Sequence, residues 1–137
     1  MAKKTELPVI KKEVLQWLAA MDFLPINGEV DCYAKKYGVE VIKVDIENGT
    51  ITYPEAITVH DKATCNLSKR ENLVVLECVN RLLEKGYKSD GIELEKNWKL
   101  GHQGKGRLDI LVKHKKLPYL MIECKTWGKE YNGEIKK

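Results

Sequence analysis

Apolar residues recur at two different periods along this chain. Over residues 8–20, Ile10, Val14, Trp17 and Leu18 return at helical spacing with Pro8 near the first turn, which predicts an amphipathic helix. Pro25 and Asn27-Gly28 end that region. Residues 33–37 predict a short helix closed by Gly38. Residues 39–46 and 50–53 are β-branched runs around Asn48-Gly49, a hairpin signal, and Pro54 stops the second strand. A second long helix is predicted over residues 69–85, capped by Ser68 or Asn66 and closed by Gly86. Residues 92–98 alternate in part and predict a strand, after which Gly101, Gly104 and Gly106 permit a turn. Residues 108–112 and 119–125 predict two more strands around a turn at 114–118, and residues 127–137 begin a further helix.

Chemistry concentrates on the last two strands. Side chains alternate faces, so Leu108, Ile110 and Val112 fill the core while Asp109 points the other way. On the next strand Leu120, Ile122 and Cys124 share one face, Glu123 and Lys125 the other. If the strands pair, two carboxylates and an ammonium converge. Two carboxylates at short range are costly to ionise together unless a cation sits between them. Magnesium suits oxygen ligands and keeps water or phosphate in its remaining positions. An edge hairpin with one solvated face shows the same alternation, with Glu123 and Lys125 as ordinary cross-strand partners.

On the second long helix, at 100° per residue with Glu71 at zero, Val75, Cys78, Val79 and Leu82 lie within about 80°. Glu77, Asn80, Arg81 and Glu84 take the opposite side, so Glu71 is expected toward the core and Glu77 toward solvent. A carboxylate on the packed face needs a partner or metal. Equally, Glu71 can be a wet residue stabilised by the helix N-terminus.

The motifs Gly106-Arg107-Leu108-Asp109-Ile110-Leu111-Val112 and Pro118-Tyr119-Leu120-Met121-Ile122-Glu123-Cys124-Lys125 resemble the PD-(D/E)XK nuclease superfamily. Within it they are similar to the N-terminal nuclease domain of type I restriction-enzyme R subunits, over roughly residues 69–137. Leu108 stands where that family's pattern has proline. The resemblance implies an α/β (α+β), restriction-endonuclease-like αβββαβ core with a mixed central sheet flanked by helices. Residues 1–60 would add an N-terminal helix and hairpin to the core at 61–137, in one compact unit cut from a longer protein. It implies a Mg2+-dependent DNA endonuclease, with Mn2+ able to substitute, leaving 5′-phosphate and 3′-hydroxyl ends. Asp109, Glu123 and the backbone carbonyl of Cys124 would hold the metal. Lys125 would orient the attacking water, and Glu71 would help hold metal-bound water.

Composition adds bounds. The chain has 137 residues, enough for one domain, and is 43% hydrophobic and 32% charged, as in a soluble globular protein. No apolar run approaches membrane-spanning length and no secretory signal opens the chain, so a cytoplasmic location is expected. The net charge of +4 is mild. Its distribution says more: Lys96, Lys99, Lys105, Arg107, Lys113, Lys115 and Lys116 cluster near the carboxylates, and Lys105, Arg107, Lys113 and Lys115 are candidate contacts to double-stranded DNA. The four cysteines and three histidines lack zinc spacing, and Cys78 and Cys124 fit apolar patterns as reduced core residues. The glycine-rich stretch at 101–106 lacks the Gly-Lys-Ser/Thr ending of a phosphate-binding loop. The expected partners are DNA and helicase or methyltransferase domains or subunits of a restriction system. The rival expectation is a catalytically inactive, nuclease-like docking or DNA-binding module of a methyltransferase or helicase.

Overall fold

The computed structural model describes residues 11–99 and 105–124, with side chains over 11–96 and 109–124. The expected helix at 127–137 lies outside them. Helix α1 (Lys11–Ala20) leads into an antiparallel sheet ordered β1 (Leu24–Pro25), β2 (Cys32–Tyr37), β3 (Glu40–Asp45), β4 (Thr50–Thr52). Strand β5 (Thr58–Val59) and a 3-10 turn (Lys62–Cys65) precede α2 (Arg70–Glu84). A second 3-10 turn (Ser89–Gly91) then leads to β6 (Ile92–Lys99), β7 (Lys105–His114) and β8 (Leu117–Ile122). The second sheet runs β5-β6-β7-β8, with β5 parallel to β6 and the other pairs antiparallel. The described chain is therefore mixed α+β. No helix among the described residues is long and apolar enough to cross a membrane.

Residues 33–37 form strand β2, not the short helix the sequence predicts. Tyr33, Lys35 and Tyr37 recur at period two and turn toward the core, a face set by long-range partners. The Lys35 ammonium donates to the carbonyl of Met21 at 2.7 Å, to Asn80 at 2.8 Å and to Glu84 at 2.5 Å. Tyr37 Oη donates to the same Asn80 oxygen at 2.6 Å. An ammonium with three acceptors tolerates burial.

The same contacts correct the reading of α2. Its cap is Lys69, which makes no side-chain capping bond. Asn66 instead organises the preceding turn by accepting from Ser68, while Asn72 reaches back to the carbonyls of Ala63 and Asn66. The side of α2 opposite Glu71 is only partly open to solvent, with Arg81 and Glu84 exposed but Glu77 and Asn80 covered. Glu77 accepts from Trp17 Nε1 of α1 at 2.7 Å, and Asn80 is buried against β2. Helix α2 is thus covered on two sides, by α1 and the first sheet and by the second sheet. One continuous core runs from Val14 through Ile42, Leu73, Leu76 and Leu94 to Ile110 and Cys124.

Candidate active site

The β7–β8 hairpin positions the candidate carboxylates, and its register is not the simple one. Lys115 and Lys116 form the turn with φ of 54° and 67°, a left-handed pair of the kind Asn-Gly usually fills. From that turn His114 pairs with Leu117 and Lys113 with Pro118. Continued without interruption, this register would set Asp109 across from Ile122. Glu123 would then face the opposite side of the sheet, because a slip of one residue flips every side chain. The register instead shifts between Val112 and Lys113, leaving Tyr119 as the extra residue of a bulge. Beyond it Val112 pairs with Leu120, Leu111 with Met121 and Ile110 with Ile122. Extended one residue past that last pair, into the coil at Glu123, the same register would set Asp109 opposite Glu123.

On β6 the pairs Leu94–Ile110 and Lys96–Leu108 bracket Glu95, which stands opposite Asp109 on its other side. Glu95 and Asp109 therefore occupy neighbouring positions on β6 and β7, and Glu123 follows the end of β8 beside them. Glu95 takes a φ of 56°, a left-handed conformation that costs a side chain roughly 1–3 kcal/mol. Asp109 and Glu95 are buried and Glu123 is exposed. The β8 ladder ends at Ile122, and the backbone N–H of Cys124 donates to Asp109 Oδ2 at 2.6 Å. A charged acceptor at this distance makes a strong hydrogen bond that fixes the carboxylate's orientation. Glu95 was missed from the sequence, although its alternation with Ile92 and Leu94 on a strand beside Asp109 is the signal that finds it.

The surroundings of Cys124 place the remaining groups. Its Sγ donates to Cys78 Sγ of α2 at 3.8 Å. That bond pulls the Cys78 thiol down to about 7, against the opposing effect of burial. The Cys124 thiol is pushed up by the same bond, by burial, and by the negative charges of Cys78, Asp109 and Glu71. Glu71 is exposed rather than packed, yet its charge reaches this end of the sheet, whereas Glu77 is engaged by α1. Also on β6, Glu93 is buried and bonded to His60 at 2.6 Å and Lys113 at 2.5 Å, with Lys96 at 3.8 Å. Burial raises the Glu93 carboxyl, but Lys113 and His60 outweigh it and the net shift is downward. Lys113 thus has a resident anion.

Of the residues singled out from sequence, Asp109, Glu123, Cys124 and Glu71 come to one end of the second sheet. Lys115 lies exposed at the hairpin tip. Lys105 and Arg107 belong to β7, with side chains outside the description, and Lys125 lies outside the described residues. Among the described residues no three His, Cys, Asp or Glu side chains converge as a metal-holding group. Two carboxylates and a carbonyl fit a magnesium ion that keeps several waters better than an all-protein cage. A separate cleft of about 720 Å³ beside β2 has two internal pairs in its lining, Lys35 with Glu84 and Ser89 with Glu40. Compared with protein-family profiles, curated proteins and solved structures, the chain matches none.

Proposed function

We propose that this chain is the DNA-cutting domain of a restriction-type nuclease, of the PD-(D/E)XK kind. The observation that supports the reading is the bulged β7–β8 register, which runs toward Asp109 and Glu123, together with the Cys124 amide on Asp109. The run of α2 followed by the β6-β7-β8 meander supports it as the opening of an αβββαβ core. Asp109, Glu123 and the carbonyl of Cys124 would hold Mg2+ or Mn2+. The bound ion would supply Lewis acidity and an acidified water. Asp109 is held in one orientation by the Cys124 amide, so the site needs little rearrangement before substrate arrives. Glu71 would accept a hydrogen bond from the attacking water. Lys125 would offset charge growing on the phosphoryl oxygens as the 3′-oxygen leaves. Lys115 and Lys116 at the hairpin tip, with Lys105 and Arg107, would track phosphates of double-stranded DNA. Helicase or methyltransferase domains or subunits would be natural companions, and the setting would be cytoplasmic.

The test is conversion of supercoiled plasmid to nicked and linear DNA with 5′-phosphate ends. Cutting should require Mg2+ or Mn2+ and vanish in Asp109→Asn. It should fall about a hundredfold or more in Lys125→Ala, the size of loss seen when an electrostatic stabiliser is removed. Glu71→Ala should slow it and Glu77→Ala should not. One observation favours a docking module instead: Asp109 is buried and already accepts a backbone N–H, as a purely structural carboxylate would. Metal-independent DNA binding without cutting would select that reading.

A further inference from the structure

Cys78 and Cys124 are both free, and their sulfurs are already in contact at 3.8 Å. Cys78 is half-buried on α2, whereas Cys124 is 3% exposed and sits in coil just past the end of β8. A disulfide needs about 2.0 Å between sulfurs, so the gap must close by roughly 1.8 Å. Side-chain rotation and a small shift of the coil at Cys124 supply that without moving either strand. Cys124 is also the residue whose amide holds Asp109 Oδ2. We propose that Cys78 and Cys124 form a reversible disulfide that ties the end of β8 to α2 and draws the Cys124 amide away from Asp109.

A peroxide is the oxidant. Cys78, the more accessible sulfur, attacks one peroxide oxygen, the O–O bond breaks, and Cys78 becomes a sulfenic acid as water leaves with the thiol proton. Cys124 sulfur then attacks the sulfenic sulfur. The S–S bond forms, the S–O bond breaks, and the departing hydroxide takes the Cys124 proton as a second water. Two thiols lose two electrons and one hydrogen peroxide becomes two waters. A small thiol reverses the step by exchange through a mixed disulfide. The bond itself stands independently of the nuclease reading; only its effect on cutting rests on that reading.

The experiment treats the folded full chain with hydrogen peroxide and alkylates it with iodoacetamide. The expected result is a loss of about 2 Da before alkylation, the mass of the two hydrogens removed. Two of the four cysteines should be blocked, with a peptide linking Cys78 to Cys124, and dithiothreitol should reverse all of this. Cys78→Ser and Cys124→Ser should each abolish the linked peptide. Four alkylatable thiols, or a link through Cys32 or Cys65, would overturn the proposal. In parallel, Mg2+-dependent cutting should fall at least tenfold on oxidation and recover with reductant, but stay unchanged in Cys78→Ser. Full cutting by the linked form would overturn the coupling to Asp109. A linked form whose reduced parent never cuts would uphold the disulfide and remove the nuclease reading.

Discussion

Tyr53 shows how a single atom can oppose its own residue's burial. Its ring packs in the core, but its hydroxyl is buried with no hydrogen-bond partner among the described residues, and burial drives its pKa upward. A stranded buried hydroxyl costs about 1–3 kcal/mol. Tyr53→Phe should therefore leave stability unchanged or raise it by up to that amount, measured by urea unfolding. A loss above about 1 kcal/mol would show that the hydroxyl is satisfied. Glu93 is the opposite case, a buried carboxylate with lysine partners, Lys96 and Lys113, on two strands. Its pKa is lowered from 4.5, so its stabilisation is present above pH 4.5 and disappears as pH falls through the folded value. Glu93→Gln should cost about 1–3 kcal/mol at pH 7, and the gap from the parent should shrink in acid. A gap that is constant from pH 7 to pH 3 would mean that its charge does not contribute.

Among the elements, the β7–β8 hairpin decides whether a site can exist. Tyr119 is the extra residue at the register shift, in the ladder that runs toward Asp109 and Glu123. Its ring lies beside Tyr87 and His114 at 6.3 and 5.9 Å, contacts that anchor the bulge. Deleting Tyr119 removes the extra residue and should regularise the ladder with Leu120 still on Val112, so Glu123 should keep its place relative to Asp109. Cutting and the circular dichroism of the fold should both persist; lost cutting would show that the site depends on the bulge itself and not on the pairing beyond it. None of this was legible in the sequence, because a bulge leaves no mark on alternation until both strands are paired. The strand carrying Asp109 and the one that ends just before Glu123 were legible as short apolar runs, Leu108 to Val112 and Tyr119 to Ile122, around a turn. Strand β2 was not, because its inward residue is a lysine whose acceptors, Asn80 and Glu84, lie more than forty positions away.

At the scale of the whole molecule, residues 11–60 contribute to the core that supports α2. Trp17, Lys35 and Tyr37 hold Glu77, Asn80 and Glu84 on one side of that helix, while Cys78 meets Cys124 on the other. Sequence periodicity identified α2 correctly but read its far side as solvent, since a helix wheel does not reveal a second covering layer. The proposed function requires Asp109 and Glu123 to share one divalent ion. Its most direct measurement is Mn2+ titration of the folded chain by calorimetry, in the parent and in Asp109→Asn and Glu123→Gln. One Mn2+ should bind per chain, competed by Mg2+ and weakened at least tenfold by either substitution. Equal binding in all three proteins, or none in the parent, would contradict it.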